Sequence, residues 1–279
     1  MDVDHKPSSS RGIYLTRVLR NERVCRRHWR FVLKIEDFPP AEPGQFVQIL
    51  CGEPGGDAWT GGPLLRRPFS IADLRRDGRR AEIHILHRAV GAGTRWLSRL
   101  EPGDLVSVLG PLGRPFWLLD HRPVALLVGG GIGLPPLIWL ARRLHEAGKR
   151  TVAFCGSRSA EVLPLTRRAD IPVSGEQATP AFREFADVGV PVVVSTDDGS
   201  LGAFGLIADL FARYLEHHRD DARSAVVYTC GPEPMMQAVA RVCQQRAIPC
   251  QVCLERMMAC GMGTCQSCVV RSRDRKSVV

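Results

Sequence analysis

Apolar and polar positions follow two different rhythms along the chain. From Ile13 to Leu109 the apolar residues come in short runs separated by turn residues. His28 to Ile35 alternates, with Trp29, Phe31, Leu33 and Ile35 on one face, as a half-buried strand requires. Gln45 to Leu50, Phe69 to Leu74, Ala81 to His87 and Asp104 to Leu109 read as further strands, and a glycine-rich loop covers Gly52 to Pro63. Short strands at this spacing predict a small antiparallel barrel, interrupted by one short helix at Thr94 to Leu100.

After Pro123 the rhythm changes. Val124 to Val128 is continuously apolar, glycines follow, and Leu134, Leu137, Ile138, Ala141 and Leu144 then recur at helical spacing up to Gly148. Strands at Thr151 to Phe154, Val192 to Ser195, Ala225 to Thr229 and Cys250 to Leu254 alternate with helices at Leu206 to His217 and Pro234 to Arg246. That alternation predicts a parallel sheet with helices on both faces. The fold class expected is therefore β plus α/β. Its parts are a disordered tail over 1–12, a barrel over 13–120, a nucleotide-binding α/β domain over 121–249 and a cysteine loop over 250–279. The domain boundary falls near Leu119 to Pro123.

Composition narrows the function. The 279 residues carry 38 Lys and Arg against 29 Asp and Glu, a formal charge of +9. The arginines are scattered and aromatic residues make up only 6%, so a solvated basic surface fits better than nucleic-acid binding. No apolar run approaches the roughly 20 residues that span a bilayer. Met1 to Arg11 has no apolar stretch of the kind a secretory signal needs, so a cytoplasmic location is expected. Ten cysteines in such a compartment do not suggest disulfides, and seven of them fall between Cys230 and Cys268, which suggests a metal centre.

Four stretches carry candidate chemistry. Arg67-Pro68-Phe69-Ser70 joins a planar guanidinium fork, suited to a diphosphate, to a fixed backbone and a hydroxyl beside a planar ring, and is read as a flavin seat. Gly91-Ala92-Gly93-Thr94 leads into a helix and can offer amides to a second phosphate. Gly129-Gly130-Gly131-Ile132-Gly133 sits between strand and helix, where a nucleotide diphosphate binds, although its spacing is not the standard dinucleotide fingerprint. No acidic residue closes the second strand. It ends at Ser157-Arg158, and Arg158 mildly favours a 2′-phosphate, leaving NAD and NADP open. Cys230-Gly231-Pro232 ends a parallel strand at the ligand edge of the sheet, where the thiol can contact a nicotinamide.

Cys260-x4-Cys265-x2-Cys268 is the most specific signal. It is plant-type [2Fe–2S] spacing, with Gly261 and Gly263 letting the loop wrap closely. No cysteine follows Cys268, so the fourth ligand is missing from the motif. A zinc ribbon adding Cys250 and Cys253 would need those two to share a side, yet three residues apart on a strand they face opposite ways. Unliganded thiols are the third reading.

Together with Leu86-His87-Arg88, the late stretch from Leu254 to Cys268 and Ser195-Thr196-Asp197-Asp198-Gly199-Ser200, these motifs resemble the ferredoxin–NADP reductase superfamily. Within it they resemble the electron-transfer subunits of NAD-dependent, type B, dihydroorotate dehydrogenase. The resemblance runs from about Ile13 to Val270. It implies FAD bound by Arg67, Pro68, Phe69, Ser70, Leu86, His87, Arg88, Gly93 and Thr94. It implies NAD bound by Gly129, Gly130, Gly131, Gly133, Cys230, Gly231 and Pro232, and a [2Fe–2S] cluster on Cys260, Cys265 and Cys268. In the family the fourth cluster ligand lies on a short downstream strand, which is not read in this sequence. The resemblance further implies an FMN-containing catalytic partner, in a heterotetramer, passing electrons from dihydroorotate to NAD⁺ for pyrimidine synthesis. A ferredoxin–NADP reductase or the flavin subunit of a sulfide dehydrogenase or hydrogenase is the alternative, and a non-catalytic zinc-binding module the second.

Overall fold

The computed structural model describes residues 11–52, 63–271 and 277–278. Most of the expected N-terminal tail and of the glycine-rich loop at Gly52 to Pro63 lie outside the described residues. The first rhythm folds as a closed barrel: β1 (Gly12–Cys25), β2 (His28–Glu36), β3 (Phe46–Leu50), β4 (Arg67–Asp77), β5 (Arg80–Arg88) and β6 (Leu105–Leu112). The strands join in the order β1-β2-β5-β4-β3-β6, and β1 closes the ring by pairing antiparallel with β6, Gly12 opposite Gly110 through Arg17 opposite Leu105. Closure removes the open edges that a six-stranded sheet would otherwise present. Phe31, Leu33 and Ile35 face inward with Val47, Ile49, Ile71, Ile83, Ile85, Val106 and Val108. The strands run longer than the apolar runs because polar residues at their ends still pair.

The short helix α1 (Ala92–Leu97) begins two residues before its expected start. The Thr94 hydroxyl sits at the third helical position and accepts hydrogen bonds from the Val90 and Gly91 amides at 2.9 and 3.0 Å, which moves the cap back to Gly91.

The second rhythm gives a parallel six-stranded sheet. Its elements are β7 (Val124–Gly130), α2 (Leu134–Glu146), β8 (Arg150–Ser157), α3 (Arg183–Ala186), β9 (Val192–Thr196), β10 (Ala203–Phe204), α4 (Ile207–His217), α5 (Arg219–Ser224), β11 (Ala225–Cys230), α6 (Glu233–Gln245) and β12 (Cys250–Cys253). The strand order is β10-β9-β8-β7-β11-β12. The two-residue β10 carries too little pattern to be read from sequence. The chain moves from β7 outward through β8 and β9, then crosses back to β11 on the other side of β7. The carboxyl ends of β7 and β11 therefore flank the switch point, where open α/β sheets bind ligands.

α2 is apolar nearly all round: Leu134, Pro135, Pro136, Leu137, Ile138, Trp139, Leu140, Ala141 and Leu144 are all buried. A helix of that kind is covered on more than one side. Leu134, Leu137, Ile138 and Leu144 pack in the sheet cluster together with Ala72 of β4 and Leu86 of β5, whereas Trp139 enters the barrel cluster. Arg142 fastens the same contact, donating to the Leu74 carbonyl at 2.7 Å and pairing with Asp73. On the far side, Arg30 of β2 pairs with Glu184 of α3, and Tyr228 of β11 donates to the Trp117 carbonyl at 2.9 Å.

Beyond Cys268 the chain forms a small antiparallel hairpin, β13 (Val270–Arg271) with β14 (Ser277–Val278). The expectation that no strand follows the cysteine motif is corrected here. Val270 pairs with Val278 and Arg271 with Ser277, although neither strand carries a cysteine.

Candidate functional site at the barrel–sheet crevice

Strand alternation decides what Arg67 to Ser70 presents. β3 and β4 pair antiparallel with Val47 opposite Phe69, Gln48 opposite Pro68 and Phe46 opposite Ser70. Val47 and Phe69 belong to the barrel core. Pro68 and Ser70 therefore face outward, on the side from which Ala72 meets α2. Phe69 is a core residue, and only its backbone borders the outer face. Arg67 folds back onto the carbonyls of Leu65 and Arg66, at 2.6 and 3.3 Å. Arg66, which sequence reasoning passed over, is anchored on β6 by bonds to the Ser107 carbonyl and hydroxyl at 2.8 and 2.7 Å.

Leu86-His87-Arg88 splits in the same way. Leu86 points outward into the contact with the sheet, and His87 points into the barrel. There His87 stacks on Trp29 at 5.9 Å and meets Phe31 and Phe69 edge-on. Its two ring nitrogens are buried with no hydrogen-bond partner, and burial, helped by nearby His28, pushes its pKa down to about 4. The Arg88 Nε is also buried and unpartnered. A buried guanidinium nitrogen without an acceptor fits a site that receives an anion. The fit to a flavin dinucleotide rests on that orphan and on the outward Pro68 and Ser70. Gly93 is also packed tightly: a Cβ there would lie 3.0 Å from the Cys51 Cβ.

The glycine turn is also mostly a packing device. A Cβ on Gly129 would meet the Leu134 and Leu137 methyls at 2.6 and 2.8 Å, and one on Gly130 the Met235 sulfur at 2.8 Å. A Cβ on Gly133 would lie 2.4 Å from both the Cys230 carbonyl oxygen and the Gly231 Cα. Gly231 returns the contact, with φ +151° and a hypothetical Cβ 2.9 Å from the Gly130 nitrogen. These glycines let the ends of β7 and β11 interlock. Gly131 alone in the turn has φ +53° and open space beyond its Cα. The first turn of α2 offers few donors, because Pro135 and Pro136 have no N–H and the Leu134 amide bonds the Gly131 carbonyl. The amides left to face a diphosphate are those of the Gly131–Gly133 turn.

At the end of β8, backbone bonds bring in a segment that the linear sequence does not place there. The Asp197 amide donates to the Ser157 carbonyl at 3.0 Å and the Asp198 amide to the Arg158 carbonyl at 3.2 Å. Ser200 donates to the Asp198 carboxylate at 2.6 Å and accepts from the Ala160 amide at 2.8 Å. The backbone of Asp197 and Asp198 thus lies against that of Ser157 and Arg158, and the Ser200 contacts hold the Asp198 carboxyl below its usual range. The only signal in the sequence was the Thr196-Asp197-Asp198-Gly199-Ser200 run itself.

The cysteine stretch returns to the barrel across 211 residues of chain. Gln48, only 1% exposed on the outer face of β3, donates its side-chain amide to the Ala259 carbonyl at 3.3 Å, and Gly261 lies flat against it. A Cβ at Gly261 would come within 2.6 Å of the Gln48 nitrogen, and Gly261 has φ +65°. Within the loop the Met262 and Cys265 amides point at the Cys260 sulfur, at 3.4 and 3.5 Å. The Cys265 thiol, bonded by Ser267, is pushed down to about 6. Amide donors aimed at sulfur and a lowered thiol suit a loop that carries thiolates. Among the described residues, Cys260, Cys265 and Cys268 do not converge as a closed metal site. Cys250 packs on the α4–α6 side of the sheet and Cys253 on the α2 side, so the two do not meet in a ribbon with Cys265 and Cys268.

No protein-family profile matches the chain. Curated relatives do. It is 36% identical over 231 residues to the electron transfer subunit of dihydroorotate dehydrogenase B (NAD(+)) of Desulforamulus reducens, covering 83% of this chain and 78% of that one. It is 40% identical over 233 residues to the same subunit of Geobacillus kaustophilus, with 82% and 77% covered. It is 35% identical over 261 residues to that of Bacillus velezensis, with 92% and 89% covered. Among solved structures it resembles an NADH-dependent reduced ferredoxin–NADP oxidoreductase with a TM-score of 0.73 and 26% identity, over 93% of this chain and 83% of the other. It shares a fold with a carbazole 1,9a-dioxygenase ferredoxin reductase at a TM-score of 0.68, 20% identity and 88% and 70% coverage. With the barrel, the switch-point motifs and the cysteine loop in place, the chain belongs to the family of electron transfer subunits of dihydroorotate dehydrogenase B (NAD(+)).

Proposed function

We propose that this chain carries electrons from an FMN-containing dihydroorotate dehydrogenase catalytic subunit, through a [2Fe–2S] cluster and FAD, to NAD⁺, in a heterotetramer that serves pyrimidine synthesis. The observation that carries the reading is the packing of the cysteine loop on Gln48, because Gln48 shares the outer face of β3–β4 with Pro68 and Ser70. A cluster-bearing loop and a flavin seat would thereby sit side by side on one barrel. FAD, when bound, supplies the junction between one-electron and two-electron transfer.

The chain's own residues position the rest. Arg67, Leu86, Arg88, Gly93 and Thr94 would hold the flavin dinucleotide, with Pro68 and Ser70 bordering the ring and Phe69 and His87 backing it from the barrel core. The Gly131–Gly133 turn would seat the nicotinamide dinucleotide's diphosphate, with Gly129 and Gly130 letting β7 close against its neighbours beneath it, and Cys230, Gly231 and Pro232 would border its nicotinamide. Cys260, Cys265 and Cys268 would supply three cluster ligands. Among the described residues, no helix is long and apolar enough to cross a membrane.

The test is a visible spectrum of the purified chain, with flavin, iron and sulfide quantified, followed by anaerobic reduction with NADH. Bleaching of the flavin by NADH, together with co-purification of a subunit that oxidises dihydroorotate, is expected. A colourless preparation containing neither flavin nor iron overturns the reading. Arg67→Ala is expected to weaken FAD binding by roughly tenfold to a hundredfold, the worth of a charge-assisted bond of about 1.5–3 kcal/mol, as read by flavin retention on dilution.

The backbone bonds that bring Asp197 and Asp198 to the end of β8 also favour NAD over NADP, since two acidic residues there would oppose a 2′-phosphate that Arg158 alone would attract. NADH is expected to reduce the flavin at lower concentration than NADPH. The double replacement Asp197→Asn with Asp198→Asn is expected to narrow that gap by improving NADPH, as measured by stopped-flow flavin reduction.

A further inference from the structure

β11 and β12 run parallel in register, which sets Cys230 directly opposite Cys253. Both side chains lie on the same face of the sheet, in the cluster that also holds Tyr228 and Phe116. Adjacent strands are separated by about 4.8 Å, inside the Cα range of roughly 4.4–6.8 Å across which a disulfide closes. The two residues are not equivalent. Cys230 is buried, 8% exposed, whereas Cys253 is partly open to solvent at the ligand edge. A second thiol pair, Cys243 of α6 with Cys250 of β12, lies on the opposite face of the sheet, where Cys243 is fully buried.

We propose that Cys230 and Cys253 form a reversible disulfide when the protein meets a hydroperoxide, and that the bond closes the nicotinamide end of the sheet. Cys253, the accessible sulfur, attacks the O–O bond, becoming a sulfenic acid and releasing water from hydrogen peroxide. Cys230 then attacks the Cys253 sulfur, a second water leaves and the S–S bond forms. Two thiols are oxidised as one peroxide is reduced. A dithiol reductant reverses the step by exchange. The pairing favours this division of labour: neighbouring Cys253, together with burial, pushes the Cys230 thiol up, and Cys230 draws the Cys253 thiol down. The bond itself depends only on the register. Its effect on hydride transfer rests on the nicotinamide reading given above, because the bridged Cys230 sulfur is drawn toward β12 and away from a ligand seated beside Gly231.

The test uses the full chain loaded with FAD, reduced with dithiothreitol, desalted and treated with equimolar hydrogen peroxide. Peptide mapping is expected to recover a Cys230–Cys253 cross-link that dithiothreitol removes and that Cys253→Ser abolishes. NADH-driven flavin reduction is expected to slow at least about tenfold in the oxidised protein, to recover on reduction, and to become insensitive to peroxide in Cys253→Ser. A cross-link confined to Cys243–Cys250 or to the Cys260–Cys268 loop overturns the proposal, as does stable sulfinic acid on Cys253 with no cross-link. A Cys230–Cys253 cross-link that leaves the NADH reaction unchanged upholds the disulfide and overturns the placement of nicotinamide at Cys230.

Discussion

Gly133→Ala is expected to destabilise the chain by about 2 kcal/mol or more and to abolish most NADH-driven flavin reduction. The added methyl would lie 2.4 Å from the Cys230 carbonyl oxygen and 2.4 Å from the Gly231 Cα. Both are backbone atoms at the end of a buried strand, so no side chain can swing away, and relief requires parting β7 from β11. Overpacking of that kind typically costs about 1–3 kcal/mol, more when backbone must move. The displacement falls at the switch point, so the nicotinamide-facing ends of both strands shift together. Gly131→Ala is the control. Its methyl meets nothing within 4 Å, and its cost is limited to the left-handed backbone, about 1–2 kcal/mol. Urea unfolding of the two variants, paired with the NADH concentration that half-saturates flavin reduction, separates them. Equal losses in both would mean that strand interlocking is not what the glycines provide.

His87 is expected to make the barrel acid-labile by about 3 kcal/mol. In the unfolded chain its pKa returns to the ordinary value near 6.5, whereas in the barrel burial among Trp29, Phe31 and Phe69 holds it at about 4. The folded state therefore binds the proton less readily than the unfolded state. Stability is complete above about pH 6.5 and is lost as the pH falls toward 4, after which this group adds no further slope. His28, also buried, has its pKa lowered by burial and adds to the loss in the same direction. His87→Leu removes the group that must be kept neutral and retains an apolar side chain of similar size. Its unfolding midpoint in urea is expected to vary less between pH 7 and pH 5 than that of the parent. An unchanged pH slope would show that His87 is not the titrating group. The flavin spectrum at each pH separates loss of cofactor from loss of fold.

The division into barrel and sheet, the order of the parallel strands' motifs and the family were all legible in the residues. A period of two gives way to continuous apolar strands and helical spacing at Val124, and that change reflects one half-buried and one fully buried sheet. The cysteine spacing and the Arg67-Pro68-Phe69-Ser70 run depend on residue type at short range, which a sequence carries directly. Facing was harder to read. That Pro68 and Ser70 look outward while Phe69 and His87 fill the barrel depends on which face closure encloses, and closure is fixed by the pairing of β1 with β6.

Chain order by itself determined the element types, the glycine and cysteine positions and the family, because these follow from local pattern and composition. Only the tertiary structure decided that Gln48 receives the cysteine loop, that Asp197 and Asp198 stand beside Arg158, that Trp139 joins the barrel and that Cys230 faces Cys253. Each of those is a contact between segments far apart in the chain or on strands that pair only after a crossover. The strand order and the closing of the barrel bring them together, and no local periodicity records a partner that lies across a sheet.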